Sequence, residues 1–187
     1  MKHTFQRFQN YVLVMIFLMV GFGNANAQLH YDNSISISNG LYSASGFGSN
    51  HYIGFRYNHF FDDGNYFFEG AFGISSLKSK VLDSVAGFQI FDSDKLQTYE
   101  FLLAYDARPD GSVPFFLLGV AGINQGGQSQ FAYLVGLGKQ IRLSSFLNSN
   151  RFGLRYDIRD QIFRQKINNE SFMSHNLIFS LGIQYYF

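Results

Sequence analysis

The stretch of sequence that decides the fold is the last one, His175-Asn-Leu-Ile-Phe-Ser-Leu-Gly-Ile-Gln-Tyr-Tyr-Phe187. Large apolar residues occupy every second position: Leu177, Phe179, Leu181, Ile183, Tyr185 and Phe187. The positions between them are smaller or more polar: Ile178, Ser180, Gly182, Gln184 and Tyr186. Because successive side chains of a strand point to opposite faces, this pattern predicts a β-strand with one strongly apolar face.

Seven further segments, most of them alternating, precede this strand. We predict strands at 33–41, 51–61, 66–75, 96–106, 115–123, 131–142 and 151–162, with 175–187 as the eighth. The fifth differs from the others because both of its faces are apolar. The two prolines of the chain, Pro109 and Pro114, fall between the fourth and fifth strands, where they cannot interrupt a ladder.

The connections between these strands are predicted to alternate in length. Those after the second, fourth and sixth strands are short and turn-like, at 62–65, 107–114 and 143–150. The others run over 42–50, 76–95, 124–130 and 163–173. Short turns at one end and longer loops at the other are typical of bacterial membrane barrels.

Composition favours a chain that enters a bilayer through strands. Aromatic residues reach 19 %, charged residues only 14 %, and the longest apolar run after residue 27 is 115–123. That run is far shorter than the roughly 20 residues of a membrane-spanning helix. In lipid every backbone group must be bonded internally, so we predict an all-β, eight-stranded antiparallel transmembrane β-barrel. Soluble barrels also alternate but turn the apolar face inward, and alternation alone does not distinguish the two.

The first residues are predicted to be an export signal. Lys2 and Arg7 precede an apolar run at 11–22, and Ala25-Asn-Ala27 matches a cleavage site. We therefore divide the chain into a signal peptide, 1–27, and a barrel, 28–187, with an uncleaved anchor as the alternative. Together with the aromatic Phe187, this predicts the outer membrane of a Gram-negative bacterium.

Charge and cysteine content exclude several classes of function. After residue 27, 12 bases stand against 13 acids, so there is no basic field to attract nucleic acid. The chain has no cysteine, which excludes disulfides, thiolate metal sites and a lipid-modified N-terminal cysteine. Gly126 and Gly127 precede no helix and form no phosphate cradle, so we predict neither cofactor nor metal.

The penultimate strand carries charges at alternating positions, Arg155, Asp157 and Arg159. They cannot face hydrocarbon, where an arginine costs about 2–4 kcal/mol at the midplane, so they are predicted to point inward. The polar faces of the second, third and fourth strands add Arg56, Glu69 and Glu100. We predict that these six residues form one neutral lumen network that plugs the barrel. A narrow gated conduction path is the alternative.

Histidine supplies the main candidate for catalysis. His175 adjoins Ser174, with Glu170 upstream, near one end of the last strand. Some barrels modify lipid A with serine and histidine at this position, so acyl-transfer chemistry is worth testing. Adjacent residues of a strand point to opposite faces, however, and Ser174 cannot pair with His175. We therefore predict no catalytic residue and no enzyme.

The chain after residue 27 resembles the small eight-stranded outer-membrane barrels, the class of the OmpA membrane domain and OmpX. More narrowly, Gly153-Leu-Arg-Tyr-Asp-Ile-Arg-Asp160, followed by His175-Asn176 and Phe187, is similar to an uncharacterised outer-membrane β-barrel domain family. The resemblance implies the fold and the location but no activity. It also implies that Ile183, Tyr185 and Phe187 serve as the signal read by the barrel-assembly machinery.

The function predicted from these observations is structural or surface-interacting, without catalysis. The expected partners are outer-membrane lipids, lipopolysaccharide and, during biogenesis, the assembly machinery and periplasmic chaperones, with the barrel itself a monomer. The long loop 76–95, with Lys78, Lys80 and Lys95 as candidate contacts, is where recognition is expected. A narrow gated channel and a lipid A-modifying enzyme are the alternatives.

Overall fold

The computed structural model of the protein describes residues 31–44, 49–77, 94–109, 111–125, 128–143, 151–167 and 170–187. The predicted signal peptide 1–27, most of the loop 76–95 with Lys78 and Lys80, and Gly126 and Gly127 lie outside these residues. Within the described ranges, none of the helical structure is long and apolar enough to cross a membrane.

Eight antiparallel strands form one closed barrel in sequence order. They are β1 Asn33–Ala44, β2 Ser49–Phe61, β3 Tyr66–Leu77, β4 Asp94–Tyr105, β5 Phe115–Gln125, β6 Gln128–Arg142, β7 Phe152–Ile167 and β8 Glu170–Tyr186. The predicted eight-stranded antiparallel barrel is confirmed, including the fifth strand with its two apolar faces.

The barrel closes where β8 pairs with β1. The ladder runs from Ser34 opposite Tyr186 to Ala44 opposite Asn176. Asn33 extends it, because its N–H donates to the carbonyl of Phe187 at 3.1 Å and its carbonyl accepts from the Phe187 N–H at 2.9 Å. We call this end of the barrel the lower rim and the end that carries the connection 78–93 the upper rim.

The predicted turn between β2 and β3 is present at the lower rim. Asp62, Asp63 and Gly64 all adopt positive φ values, of 54°, 56° and 87°. Asp, Asn and Gly tolerate this conformation best, because their side chains are short or absent. The Asn65 N–H donates to the Asp62 carbonyl at 3.0 Å, which completes the turn.

The apolar face of every strand points outward. Each strand exposes large apolar residues on that face, represented by Ile37, Phe55, Phe68, Phe101, Leu118, Tyr133, Phe152 and Ile183. Leu118 is 65 % exposed and Tyr133 64 %, whereas the inward serines Ser34, Ser36 and Ser38 are buried. This orientation is opposite to that of a soluble barrel.

The interior is layered along the barrel axis. Charged residues fill the middle, with Tyr42, Tyr52 and Leu96 buried towards the upper rim. Towards the lower rim, Phe67 packs edge-on against Phe115 with ring centroids 5.3 Å apart. Aromatic and aliphatic layers thus cover the charged middle from both ends.

Inward-facing glycines leave space for the aromatic rings of the interior. A Cβ atom at Gly73 would collide with the ring of Tyr52, and one at Gly138 with the ring of Phe115. Each ring therefore lies against the bare backbone of another strand. A side chain at either glycine would displace it.

The predicted alternation of loop lengths is wrong. At the upper rim only residues 45–48, 126–127 and 168–169 separate the strands, and 78–93 is the one long connection there. The lower-rim connections 106–114 and 143–151 exceed three of these four. Residues 124–125, 128–130, 163–167 and 170–173, most of them polar, continue the ladders because backbone pairing requires no apolar side chain.

At the upper rim, the pairing of β7 with β8 continues beyond the pairing of either strand with its other neighbour. Its ladder continues to Ile167 opposite Glu170. The pairing of β7 with β6 ends at Ile162, and that of β8 with β1 ends at Asn176. The segment 163–173, predicted as a loop, therefore forms a two-stranded ribbon over 163–167 and 170–173. We call it the β7–β8 ribbon.

Closure of the barrel predicts which engineered cysteines react with each other in this cysteine-free chain. Ile37 and Ile183 are direct partners across the β1–β8 ladder and are 59 % and 62 % exposed. Opposite residues in antiparallel strands have Cβ atoms about 4.5–5.5 Å apart. We expect Ile37→Cys with Ile183→Cys to be joined by a short thiol cross-linker, which denaturing gels detect.

The matched control combines Ile37→Cys with Leu118→Cys on β5. Leu118 is equally exposed but lies four strands away from β1 in either direction around the barrel. It should remain uncross-linked within one chain. Equal cross-linking of both pairs, or of neither, would contradict the closed barrel.

Candidate functional site in the barrel interior

Six charged side chains from four strands meet in the middle of the barrel. Arg56 comes from β2, Glu69 from β3 and Glu100 from β4, and β7 supplies Arg155, Asp157 and Arg159. All six are buried, and their ion-paired side chains have no exposed surface. We call this set the lumen network.

Small residues on the strands beside β7 leave space for its charges. Arg155 lies opposite Gly182 and Asp157 opposite Ser180 on β8. On β6, Asp157 faces Gly138 and Arg159 faces Gly136. Asp157 therefore has a small residue on both flanks. Arg155 and Arg159 have a glycine on one flank each and face Gln140 and Ile178 on the other. The three charged side chains extend across the lumen to β2, β3 and β4.

Asp157 accepts from all three arginines. Arg56 approaches with both terminal nitrogens, at 2.7 and 3.2 Å. The Nε atoms of Arg155 and Arg159 lie 3.2 and 3.0 Å from its carboxylate oxygens. The Ser180 hydroxyl donates to Asp157 at 2.8 Å and lies 2.5 Å from Arg56. One carboxylate thus organises three guanidinium groups.

Arg159 has the complementary role, because it contacts all three acids. It donates to Glu69 at 2.6 Å, to Asp157 at 3.0 Å and to Glu100. Arg155 also reaches Glu69, with 2.5 Å between its terminal nitrogen and the carboxylate. Every guanidinium of the network therefore meets at least two carboxylates, and three positive charges balance three negative ones.

Neutral polar residues continue the network towards the upper rim. Gln161 donates to Glu100 at 2.8 Å and accepts from the Tyr42 hydroxyl at 3.0 Å. Asn176 donates to the same hydroxyl at 2.7 Å. Tyr42 was not predicted as an interior residue, because the sequence pattern placed it in the loop 42–50. Extending the alternation of β1 by a few positions would have placed Tyr42 inside.

A second extension runs towards the lower rim. Arg155 donates to Asn58 at 3.3 Å, and Asn58 donates to Ser34 at 2.9 Å. Gln184 donates to the same serine at 2.6 Å. The guanidinium of Arg155 also lies over the ring of Phe115, 4.8 Å from its centroid, which is cation–π distance. Polar contacts from β1 and β8 and an aromatic contact from β5 thus reach the network.

This arrangement occludes the lumen. An eight-stranded barrel has room for little more than its own side chains. The paired charges occupy the middle, and the buried ring layers of Tyr42, Tyr52, Phe67 and Phe115 cover them. The network links β7 to three strands on the other side of the barrel.

The histidine candidate of the last strand lies outside the barrel. His175 is exposed, and its Nδ1 lies 2.8 Å from Asp160 on β7. Ser174 is buried on the opposite face, as the strand geometry requires. Asp160 was not predicted as the partner of His175, although the even-numbered residues of β7 lie on its outward face. In the described ranges no group of three His, Asp or Glu residues has a metal-binding arrangement.

The proposed assembly residues share the outward face of β8. Ile183 is 62 % exposed and Phe187 48 %. Tyr185 stacks on Phe187 with ring centroids 6.2 Å apart and packs on Phe152 of β7 at 5.3 Å. These three side chains form an apolar strip at the lower rim.

The fold is similar to that of small outer-membrane barrels of known structure. Neisserial surface protein A has 14 % sequence identity and a TM-score of 0.52, covering 83 % of this chain and 96 % of its own. The N-terminal barrel of Pseudomonas aeruginosa OprF has 15 % identity and a TM-score of 0.51, covering 84 % and 100 %. The outer membrane protein AlkL has 13 % identity and a TM-score of 0.55, covering 89 % and 95 %.

At these identities the likeness concerns the fold alone. It bears out the resemblance to small eight-stranded outer-membrane barrels. No family model matches the chain, and no curated protein matches it. The narrower resemblance, to an uncharacterised barrel family, therefore stays a prediction.

Removing one charge from the lumen network should destabilise the barrel. Glu100→Gln keeps the shape of the side chain but leaves three guanidinium groups facing two carboxylates. A buried charge that loses its partner costs about 3–5 kcal/mol. We expect a loss of this size in the free energy of unfolding, measured by urea titration in lipid vesicles. The exposed Asp32→Asn is the control and should change little.

A double variant separates charge balance from packing. Arg159→Met with Glu100→Gln leaves two arginines and two acids, so the interior is again neutral. We expect this double variant to lose less stability than the sum of the two single variants. Wild-type stability in Glu100→Gln, or strict additivity of the two losses, would contradict a shared network.

Proposed function

We propose that the protein is an integral outer-membrane barrel of Gram-negative type, with a structural or surface-interaction role and no catalytic one. The observation that carries the proposal is the distribution of side chains between the two faces. Charges are paired and buried inside, while large apolar residues are exposed outside on all eight strands. Water-soluble monomers rarely expose apolar patches beyond a few hundred Å². In a bilayer these exposed apolar side chains contact acyl chains, so they are not in unfavourable contact with water.

The occluded interior argues against a constitutive channel. An ion crossing the barrel would have to displace Asp157 or Arg159, each of which contacts three oppositely charged groups. Separating buried ion pairs is expensive because the freed charges have no water to replace their partners. The lumen network therefore favours a closed barrel that holds its strands in register.

The outer face gives little support to an enzymatic role. His175 and Asp160 form an acid–base pair at the upper rim, but acyl transfer also needs a nucleophile within hydrogen-bond reach. Ser174, the serine nearest in sequence, is buried on the other face. We therefore propose no catalysis and keep lipid A modification as the rival that the experiment below can detect.

The upper rim is the side on which we propose contact with external partners. It carries the long connection 78–93 and the β7–β8 ribbon, which exposes Phe172 and Met173 at 40 % and 59 %. Lys95 is exposed on β4, beside the end of that connection. A cation at this level suits lipopolysaccharide phosphate, the partner that we propose. Two of the three similar structures are a surface protein and an outer membrane protein by name, which supports the location.

Three measurements test this function together. Expressed in a Gram-negative host, the protein should fractionate with the outer membrane and change its gel mobility on boiling. In planar bilayers it should give no stepwise current, and lipid A isolated from expressing cells should have unchanged mass. A soluble protein without a heat-dependent shift would refute the membrane barrel. Stepwise currents would favour the channel, and a changed lipid A mass would favour the enzyme.

We propose that Ile183, Tyr185 and Phe187 form the assembly signal, which a variant can separate from a structural role. Phe187→Ser should lower the amount of inserted barrel in cells severalfold, while the purified chain still refolds into detergent. Phe152→Ser is the matched control, because Phe152 is a similarly exposed aromatic that packs on Tyr185. Equal losses for both variants, or a refolding defect of Phe187→Ser alone, would indicate packing instead.

A further inference from the structure

Among the described residues, the outer surface of the barrel has a groove of ligand size. It runs over β8, β1, β2 and β3 and has a volume of about 920 Å³. Its apolar walls are formed by Ile35, Ile37, Phe55, Tyr57, Ile183 and Tyr185. Small-molecule sites typically measure about 300–1,000 Å³, so the groove is large enough to hold a lipid chain.

Gly70 is the glycine that lines this groove. It occupies an outward position of β3, directly opposite Tyr57 on β2 and Phe101 on β4. A Cβ atom at Gly70 would meet nothing within 4 Å. The wall between two large aromatic side chains is therefore bare. Arg56 and Glu100 also border the groove, through their backbone, because their side chains are wholly buried.

A polar cluster lies at the lower end of the groove. Below Ile35, the hydroxyl of Tyr57 donates to the side chain of Asn33 at 2.6 Å, and His59 Nδ1 lies 3.0 Å from the same oxygen. On the other flank, Arg151 donates to the hydroxyl of Tyr185 at 3.1 Å. Arg151 is exposed, and its guanidinium also bonds the side chain of Tyr31, so two tyrosines hold it at the outer face of the barrel.

We infer that this groove binds one membrane phospholipid. An acyl chain lies between the apolar walls over Gly70, and the phosphate lies at Arg151 beside the tyrosine hydroxyls. Guanidinium groups suit phosphate because their planar donors match its oxygens. The apolar groove and the cation are adjacent on the outer surface, as the acyl chain and the headgroup of a phospholipid are. The inference rests on the proposed insertion into a membrane.

A second outward glycine gives a matched comparison. At Gly122 on β5 a Cβ atom would also meet nothing within 4 Å. Gly122 lies between Tyr99 and Phe131, so it resembles Gly70 in its aromatic neighbours. It does not border the groove. Lipid that merely surrounds the barrel should contact Gly70 and Gly122 equally.

Photolabelling in nanodiscs tests the inference. The discs contain phosphatidylcholine with a few per cent of phosphatidylglycerol that carries a diazirine on one acyl chain. We expect labelled peptides to come mainly from β1, β2 and β3. Gly70→Leu should fill the groove and lower this labelling severalfold, and Gly122→Leu should leave it unchanged.

The headgroup end is tested with a second probe. Arg151→Gln should lower labelling by the phosphatidylglycerol probe severalfold but not labelling by a diazirine diacylglycerol, which lacks phosphate. Arg164→Gln, an exposed arginine at the other end of β7, is the control and should have no effect.

Two outcomes would overturn the inference. Even labelling around the barrel, or labelling insensitive to Gly70→Leu, would indicate surrounding lipid only. Equal loss of both probes in Arg151→Gln would refute a phosphate contact. Co-elution with nanodiscs and the heat-dependent mobility shift are recorded for every variant. A wild-type chain that fails these two checks refutes the membrane barrel itself, and with it this site.

Discussion

The barrel depends on the requirement that every buried guanidinium meet a carboxylate. Asp157 and Arg159 satisfy it at the centre, each with three partners of opposite charge. Because isolated charges are too costly to bury, the strands that supply the partners have little freedom of register. A shift of one residue in β7 would turn its charges outward. The neutral polar side chains and the ring layers are arranged around this constraint.

The same constraint explains the composition of the two faces. The interior combines paired charges and amides with a buried apolar cluster, which includes the ring layers and also Leu102, Leu117 and Leu134. The apolar residues that a soluble domain would bury are instead on the outer face, from Ile37 on β1 to Ile183 on β8. A bilayer supplies the surroundings that this face requires. At the groove over Gly70, this outer face lacks a large apolar side chain.

Much of this architecture could be predicted from the sequence, because the period of two is local information. Alternation identified the eight strands and the inward face of Arg155, Asp157 and Arg159. Strand ends at the upper rim were harder, since polar ladders beyond Gln161 and Asn176 carry no apolar signal. For the same reason Tyr42 was assigned to a loop. Contacts between strands, such as that of His175 on β8 with Asp160 on β7, depend on register and cannot be read from one strand.

The long sequence separation of the lumen ion pairs has a consequence for folding. Arg56 and Asp157 are 101 positions apart, and Arg159 and Glu69 are 90 apart. Contacts so distant along the chain form late and make folding slow. Until β2, β3 and β4 are in place, the two arginines of β7 have only the carboxylate of Asp157 as a partner. An incomplete barrel therefore carries unbalanced charge at its centre, which makes closure cooperative and leaves few stable intermediates.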